Sequence, residues 1–267
     1  MQSDVPLTAQ QVIKNLQQKE DTSLRYYAAW WLGRFRIRDA EAIEALLEAL
    51  QDESHRAADG GYPLRRNAAK ALGKLGNPIA VLPLIESLSS GDYYVRESAA
   101  QSLEMLRDPR AIRPLLQLLE GGLDNATYVE GKPHLRQPVE AAIEALGTLG
   151  STEAIDVILP FLEHNMPKIQ YAAARALYQL TGQAHYGERL IEALSGKDLQ
   201  LRRSALMDLG AIGYFPAAKS IANTFAENSL KLIALKGLLE HQLKKNTPKE
   251  RLSPESVEIL NLMDSLL

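Results

Sequence analysis

Residues 64–76 read LRRNAAKALGKLG, and this stretch decides the fold because it returns along the chain. Close copies begin at Leu24 (LRYYAAWWLGRF), Val95 (VRESAAQSLEML), Ile169 (IQYAAARALYQL), Leu201 (LRRSALMDLGAIG) and Leu230 (LKLIALKGLLEH), with a weaker one at Val139 (VEAAIEALGTLG). The copies are followed by a short turn and a second amphipathic segment, as in AIEALLEAL from Ala42, AVLPLIESL from Ala80, AIRPLLQLL from Ala111 and AIDVILPFL from Ala154. Leucines at helical spacing give each segment one apolar face. The Ala-Ala pair lets neighbouring helices approach closely, and glycine at the end of the first helix suits a left-handed C-cap. Pro83 and Pro114 fall near the start of a second helix, where a missing N–H costs little. Pro160 falls deeper in its copy and is expected to kink it. One helix pair cannot bury its own apolar face, so pairs must stack. The expected fold is all-α: a right-handed superhelical α-solenoid of about seven helix pairs plus terminal caps, with no β-sheet.

The anchor leucines Leu32, Leu72, Leu103, Leu146, Leu177, Leu209 and Leu238 are spaced 40, 31, 43, 31, 32 and 29 residues apart. The basic period is thus about 31 residues, and two intervals carry roughly ten extra each. The inserts, 53–63 (ESHRAADGGYP) and 121–138 (GGLDNATYVEGKPHLRQP), are rich in turn formers and read as loops. They occupy equivalent points of the repeat, so they are expected along one edge. A linker, NTPKERLSPES from Asn246, precedes a last capping helix within 246–267, and residues 9–19 are expected to cap the other end. The whole chain, 1–267, reads as a single repeat domain.

Composition narrows the function. A net charge of −3 argues against nucleic acid as a partner, which would call for a basic patch. Without cysteine there is no disulfide, thiolate metal site or cysteine nucleophile. The first ten residues lack a basic start and an apolar core, and no apolar run is long enough for a membrane span, so a cytoplasmic location is expected. None of the five histidines, His55, His134, His164, His185 and His241, is followed by Glu, so the His-Glu iron site of deoxyhypusine hydroxylases is not expected. No metal or resident cofactor is expected, and no phosphate loop or catalytic triad is recognisable.

Candidate binding residues lie where the repeat is irregular. Aligned on the second copy, Tyr26 falls on Arg66, Tyr27 on Asn67 and Trp30 on Lys70, while Trp31 falls on Ala71 and reads as core. Tyr27, Trp30 and Arg34, at i, i+3 and i+7, should share an exposed face, and large aromatics there mark a binding surface. The alternative is that the N-terminal segment buries them. Arg34, Arg36 and Arg38 add positive charge, so a flat anionic conjugated ligand or a partner helix would suit the surface. Arg25, Arg65, Arg96 and Arg202 each follow the leading apolar residue of a copy, and Asp21, Asp92 and Asp198 precede three of them by four positions. The plain expectation is a ladder of interrepeat ion pairs along the concave side; anion binding by one or two of the arginines is the functional one. Asp59, on a glycine turn with Tyr62, is a candidate carboxylate for a groove; Tyr93 and Tyr94 precede Arg96, and the second insert offers Tyr128, His134 and Arg136.

The pattern [LV]-R-x-x-A-A-x-x-L-G-x-[LI]-G resembles the HEAT-like repeats of the phycobilisome lyases. LRYYAAWWLGRFRIRDAEAIEALLEAL together with DGGYPLRRNAAKALGKLGN is similar to the E-type subunits of the E/F-type phycocyanobilin lyases, over essentially the whole chain. The resemblance implies a heterodimer with an F-type HEAT-repeat subunit. It implies that phycocyanobilin, an open-chain tetrapyrrole with two propionates, is the transferred ligand and not a cofactor. The implied acceptor is a cysteine of the phycocyanin alpha subunit, joined through a thioether. The ligand-binding set expected on this basis is Tyr26, Tyr27, Trp30, Arg34, Asp59, Tyr62, Arg65, Arg66, Tyr93 and Arg96, with Asp59 the catalytic candidate. Two alternatives stand beside it: a non-catalytic HEAT-repeat scaffold for phycobiliprotein assembly or degradation, and a lyase-isomerase subunit for another bilin or acceptor.

Overall fold

A computed structural model describes residues 7–58, 60–245 and 252–267. The chain forms two compact units, Met1–Ser151 and Thr152–Leu267. Their described residues are helical, with one isolated β-bridge and no strand.

The first unit runs α1 (Ala9–Gln17), α2 (Thr22–Arg34), α3 (Ala40–Gln51), α4 (Pro63–Leu75), α5 (Val81–Ser87), α6 (Tyr93–Leu106), α7 (Ile112–Gln117), α8 (Gly122–Asn125) and α9 (Val139–Leu149). The first helices of the repeats, α2, α4, α6 and α9, pack on one another in succession, and α3, α5 and α7 each pack on the first helix that follows. The close approach is set by small residues. A Cβ on Gly33 would lie 2.7 Å from the Ala71 Cα, and one on Gly73 would lie 2.6 Å from the Ser102 Cβ. One column of each first helix therefore faces forward and the next faces back, and the inner helices keep the backward column at Ala71 and Ser102. Trp31 occupies that column in α2 but is only half-buried, its ring tilted against that of Phe35 at 4.6 Å. No earlier repeat presses on it, so a large ring fits where α4 needs alanine. The cap α1 buries Val12, Ile13 and Leu16 against α2 and α3.

The second unit runs α10 (Ile155–Ile158), α11 (Pro167–Thr181), α12 (Ala184–Leu194), α13 (Leu199–Ile212), α14 (Ala218–Asn223), α15 (Asn228–Lys245) and α16 (Pro254–Asp264). Here α11 packs on α12 and α13, α13 on α15, and α16 closes over α14 and α15 with Ile259 fully buried. Pro160 does more than kink its segment. The α-helix stops at Ile158 and Leu159–Glu163 continues as a 3-10 helix, because proline cannot donate to the ladder. Most of the linker expected from Asn246 lies outside the described residues.

All seven anchor leucines are fully buried. Gly76, Gly150 and Gly213 end their helices in the left-handed conformation, as the sequence predicts. Arg107 takes the same conformation at the end of α6, at φ 53°, without glycine's freedom.

Candidate functional site

The two inserts meet on one side of the first unit. Gly60 and Gly61 of the first, the start of α6, and residues 129–136 of the second line a cavity of about 600 Å³. The second insert is more ordered than a plain loop. It holds the short α8 and a small hairpin, with Tyr128 bridged to Leu135 and backbone bonds from Val129 N–H to the His134 carbonyl and from Arg136 N–H to the Thr127 carbonyl.

Asp92 is the polar centre of the cavity floor. Its buried carboxylate accepts from the Tyr94 N–H at 2.8 Å, capping α6, and from the Tyr62 N–H at 2.7 Å. It also pairs with Arg66, Nε at 3.0 Å and Nη2 at 2.9 Å. Burial alone would raise this carboxyl, but the Tyr62 N–H, the Arg66 guanidinium and the Tyr94 N–H together hold it below its ordinary value. Arg66 in turn lies 4.4 Å over the Tyr94 ring.

Arg96 fastens the second insert. Its Nη1 donates to the Ser90 carbonyl at 2.6 Å, its Nη2 to the Arg136 carbonyl at 2.7 Å and its Nε to Gln137 Oε1 at 3.1 Å. Every guanidinium nitrogen is thus engaged by the protein. The Tyr93 ring lies parallel to the His134 ring at 4.4 Å, with the Tyr94 ring edge-on to both. Burial, and after it the nearby Glu97 and Glu140, push the Tyr93 hydroxyl well above its ordinary value. Lys132 and Arg136 are exposed on the hairpin and form no ion pair among the described residues.

The structure divides the expected binding residues into three groups. Tyr62, Arg66, Tyr93 and Arg96 gather at the cavity, on it or directly beneath it. Tyr27 and Trp30 stand on the solvent face of α2, 46% and 45% exposed, with their rings 5.6 Å apart and Arg34 exposed beyond them. The N-terminal cap does not cover them. The third group is internal. Tyr26 is half-buried, 5.8 Å from the His55 ring, and its hydroxyl has no hydrogen-bond partner. Arg65 is buried between the Tyr62 ring at 5.2 Å and Glu53 at 3.4 Å. Asp59 lies outside the described residues.

The arginine ladder is real, and Arg25 pairs with Asp52 across repeats, but the aspartates that precede the arginines are not its partners. Asp21, Asp92 and Asp198 each turn back to cap their own helix and form no ion pair with the arginine four residues on. Arg25 reaches the Leu16 carbonyl and Asp52, and Arg202 reaches the Gly196 and Phe225 carbonyls. Arg96 and Arg202 therefore each tie the loop before their own helix to the loop before the next first helix, and Arg25 ties the end of α1 to the loop before α4. Sequence reasoning also missed Asp92 and Lys132 as parts of the cavity. The positions of the inserts flanking α4 and α6 were the available signal.

No group of three or more His, Cys, Asp or Glu suited to a metal occurs among the described residues, and no helix there is long and apolar enough to cross a membrane. Residues 55–126 and 139–210 match the HEAT-repeat family, and residues 24–52 match the PBS lyase HEAT-like repeat. The chain is 65% identical over 260 residues to the phycocyanobilin lyase subunit alpha of Picosynechococcus sp., covering 97% of this chain and 96% of the relative. To the phycocyanobilin lyase subunit alpha of Synechocystis sp. it is 64% identical over 262 residues, covering 97% and 96%. The solved complex of CpcE and CpcF of phycocyanin lyase from Nostoc sp. contains a chain 57% identical, with a TM-score of 0.92, covering 100% of this chain and 98% of that one. Near-complete coverage at this identity, with the PBS-lyase repeat at its first helix pair, places the chain in the family of phycocyanobilin lyase alpha subunits.

Proposed function

We propose that this chain is the alpha-type subunit of a phycocyanobilin lyase. Together with an F-type HEAT-repeat partner it joins phycocyanobilin, through a thioether, to a cysteine of the phycocyanin alpha subunit in the cytoplasm. The observation that carries the reading is end-to-end identity to named phycocyanobilin lyase alpha subunits, in a chain whose two repeat inserts frame a cationic, aromatic cavity. The chain contains no cysteine, so the acceptor thiol belongs to the substrate protein.

The cavity suits an open-chain tetrapyrrole. Its volume, about 600 Å³, is that of a pocket for a mid-sized organic ligand. Lys132 and Arg136 are cations without an ion-pair partner among the described residues, available to two propionates. Tyr94 and the Tyr93–His134 stack supply flat surfaces for pyrrole rings. Arg66 and Arg96, already engaged, hold the walls and do not grip the ligand. The protein contributes chiefly position: a bilin fixed against the wall offers one face of its A-ring ethylidene to the incoming thiol. The exposed Tyr27–Trp30 pair with Arg34 has the character of a protein-docking surface, for the F-type partner or for the phycocyanin alpha subunit.

Reconstitution with an F-type partner, apo-phycocyanin alpha and the bilin tests the reading. Covalent, zinc-fluorescent pigment on the alpha subunit that depends on this chain supports it. A well-folded heterodimer that never yields such pigment favours the non-catalytic scaffold. The double variant Lys132→Ala/Arg136→Ala is expected to weaken bilin binding tenfold or more, while Trp30→Ala/Arg34→Ala leaves it within twofold. The reverse outcome moves the bilin to the α2 face.

A further inference from the structure

We infer that His134 carries the proton in thioether formation. The inference rests on the lyase reading above and on bilin occupying the insert cavity. His134 lies on the hairpin of the second insert and lines the cavity. Its Nδ1 sits 2.8 Å from the Leu135 carbonyl oxygen. A carbonyl only accepts, so Nδ1 carries hydrogen and the neutral ring keeps Nε2 as its basic nitrogen. Nε2 has no partner among the described residues. The ring cannot tumble: its face lies against Tyr93 at 4.4 Å and 11°, and Tyr94 meets it edge-on at 5.6 Å. One nitrogen fixed by a hydrogen bond, the plane fixed by stacking and the second nitrogen unspent describe an oriented acid-base group.

No other described group around the cavity fits the role. The Asp92 carboxylate is saturated by Arg66 and two N–H groups. The Tyr93 hydroxyl donates to Glu97 at 3.4 Å and is harder to ionise than a free phenol. Lys132 and Arg136 are cationic donors with no free lone pair to accept a proton. Among the described residues the charged groups around the imidazole are those two cations, Arg96, the mutually compensated Arg66–Asp92 pair and, beyond the Tyr93 ring, Glu97 and Glu140, with the Tyr93 and Tyr94 hydroxyls as its titratable neighbours.

Besides a positioned bilin, the reaction needs a proton carrier and consumes no other reagent. The sulfur of the acceptor thiol bonds to the exocyclic ethylidene carbon, and the C=C π pair passes to the ring carbon, which takes up a proton. One S–H and one C=C become one S–C and one C–H, so no oxidant or reductant is consumed. His134 Nε2 takes the proton from the thiol and returns one to the ring carbon.

The test uses the reconstituted heterodimer with phycocyanobilin and apo-phycocyanin alpha. His134→Asn can still donate to the Leu135 carbonyl but has no basic nitrogen. Its attachment rate at saturating bilin is expected to fall by about a hundredfold, the lower range for general acid-base catalysis. The wild-type rate-pH profile is expected to contain an inflection that His134→Asn lacks. Added imidazole should restore part of the rate lost in His134→Ala. An unchanged rate and profile in His134→Asn overturns the proposal and leaves the lyase reading intact. A loss confined to bilin affinity also overturns it and makes His134 a binding contact. A wild-type heterodimer that yields no covalent pigment overturns the lyase reading instead.

Discussion

Arg96 and Arg202 occupy the same repeat position in the two units. Arg96 joins the Ser90 carbonyl to the Arg136 carbonyl and Gln137; Arg202 joins the Gly196 carbonyl to the Phe225 carbonyl. In the second unit the far loop is a short turn between α14 and α15. In the first unit the same clasp holds the end of the long second insert and so fixes one wall of a cavity. The comparison shows how a repeat array gains a site. The stacking device is unchanged, and the extra residues it holds supply Lys132, His134 and Arg136.

Four substitutions press on this comparison. If both units rest on the same core logic, Leu103→Ala and Leu209→Ala should each cost about 3 kcal/mol, because each empties a fully buried anchor position. Denaturant midpoints of the two variants check this, and a negligible cost in either unit breaks the parallel. Arg96→Ala and Arg202→Ala should each cost about 2 kcal/mol through carbonyls left without donors. Only Arg96→Ala should also weaken bilin binding, by tenfold or more in titrations of the heterodimer. Equal binding by the two variants would mean that the clasp does not shape the cavity.

Asp92→Asn should cost about 1.5 kcal/mol at neutral pH, since a charge-assisted network becomes neutral. The folded Asp92 carboxyl titrates below its unfolded value, so its contribution is complete above the unfolded pKa and vanishes as pH falls through the folded one. The wild type should therefore lose its advantage over Asp92→Asn below about pH 4. An advantage that does not shrink as the pH falls further would mean that the charge is irrelevant. The smallest effect is a gain. Arg107→Gly relieves a left-handed residue at φ 53° and should add about 0.5 kcal/mol, read as a raised denaturation midpoint.

The stack was legible because its determinants are local and periodic. The spacing of Leu32 through Leu238 alone predicts seven buried anchors, and all seven are buried. The edge on which both inserts emerge followed from their equivalent places in the repeat. The arginine partners did not follow, because an aspartate four residues before an arginine satisfies two patterns at once. It spells an i,i+4 ion pair and also a helix N-cap, and only the position of the helix start separates them. Asp92 sits at that start, so its oxygens meet the Tyr94 N–H. The cavity itself was half legible. Tyr62, Arg66, Tyr93 and Arg96 were candidates as direct ligand contacts, yet the two arginines are spent on Asp92 and on backbone carbonyls. A guanidinium's commitment depends on residues some 26 to 41 positions away, which no local pattern reports.

Trp31 bears on how many repeats the array can hold. The first two junctions of the first unit need a small residue facing back towards the preceding first helix, as Ala71 faces Gly33 and Ser102 faces Gly73. An indole in that column refuses a further helix at the distance the others keep. The array therefore has a built-in stop at α2: duplicating a repeat ahead of it would create a junction that cannot close until Trp31 is made small. Length in this protein is counted by a side chain as well as by the extent of the gene.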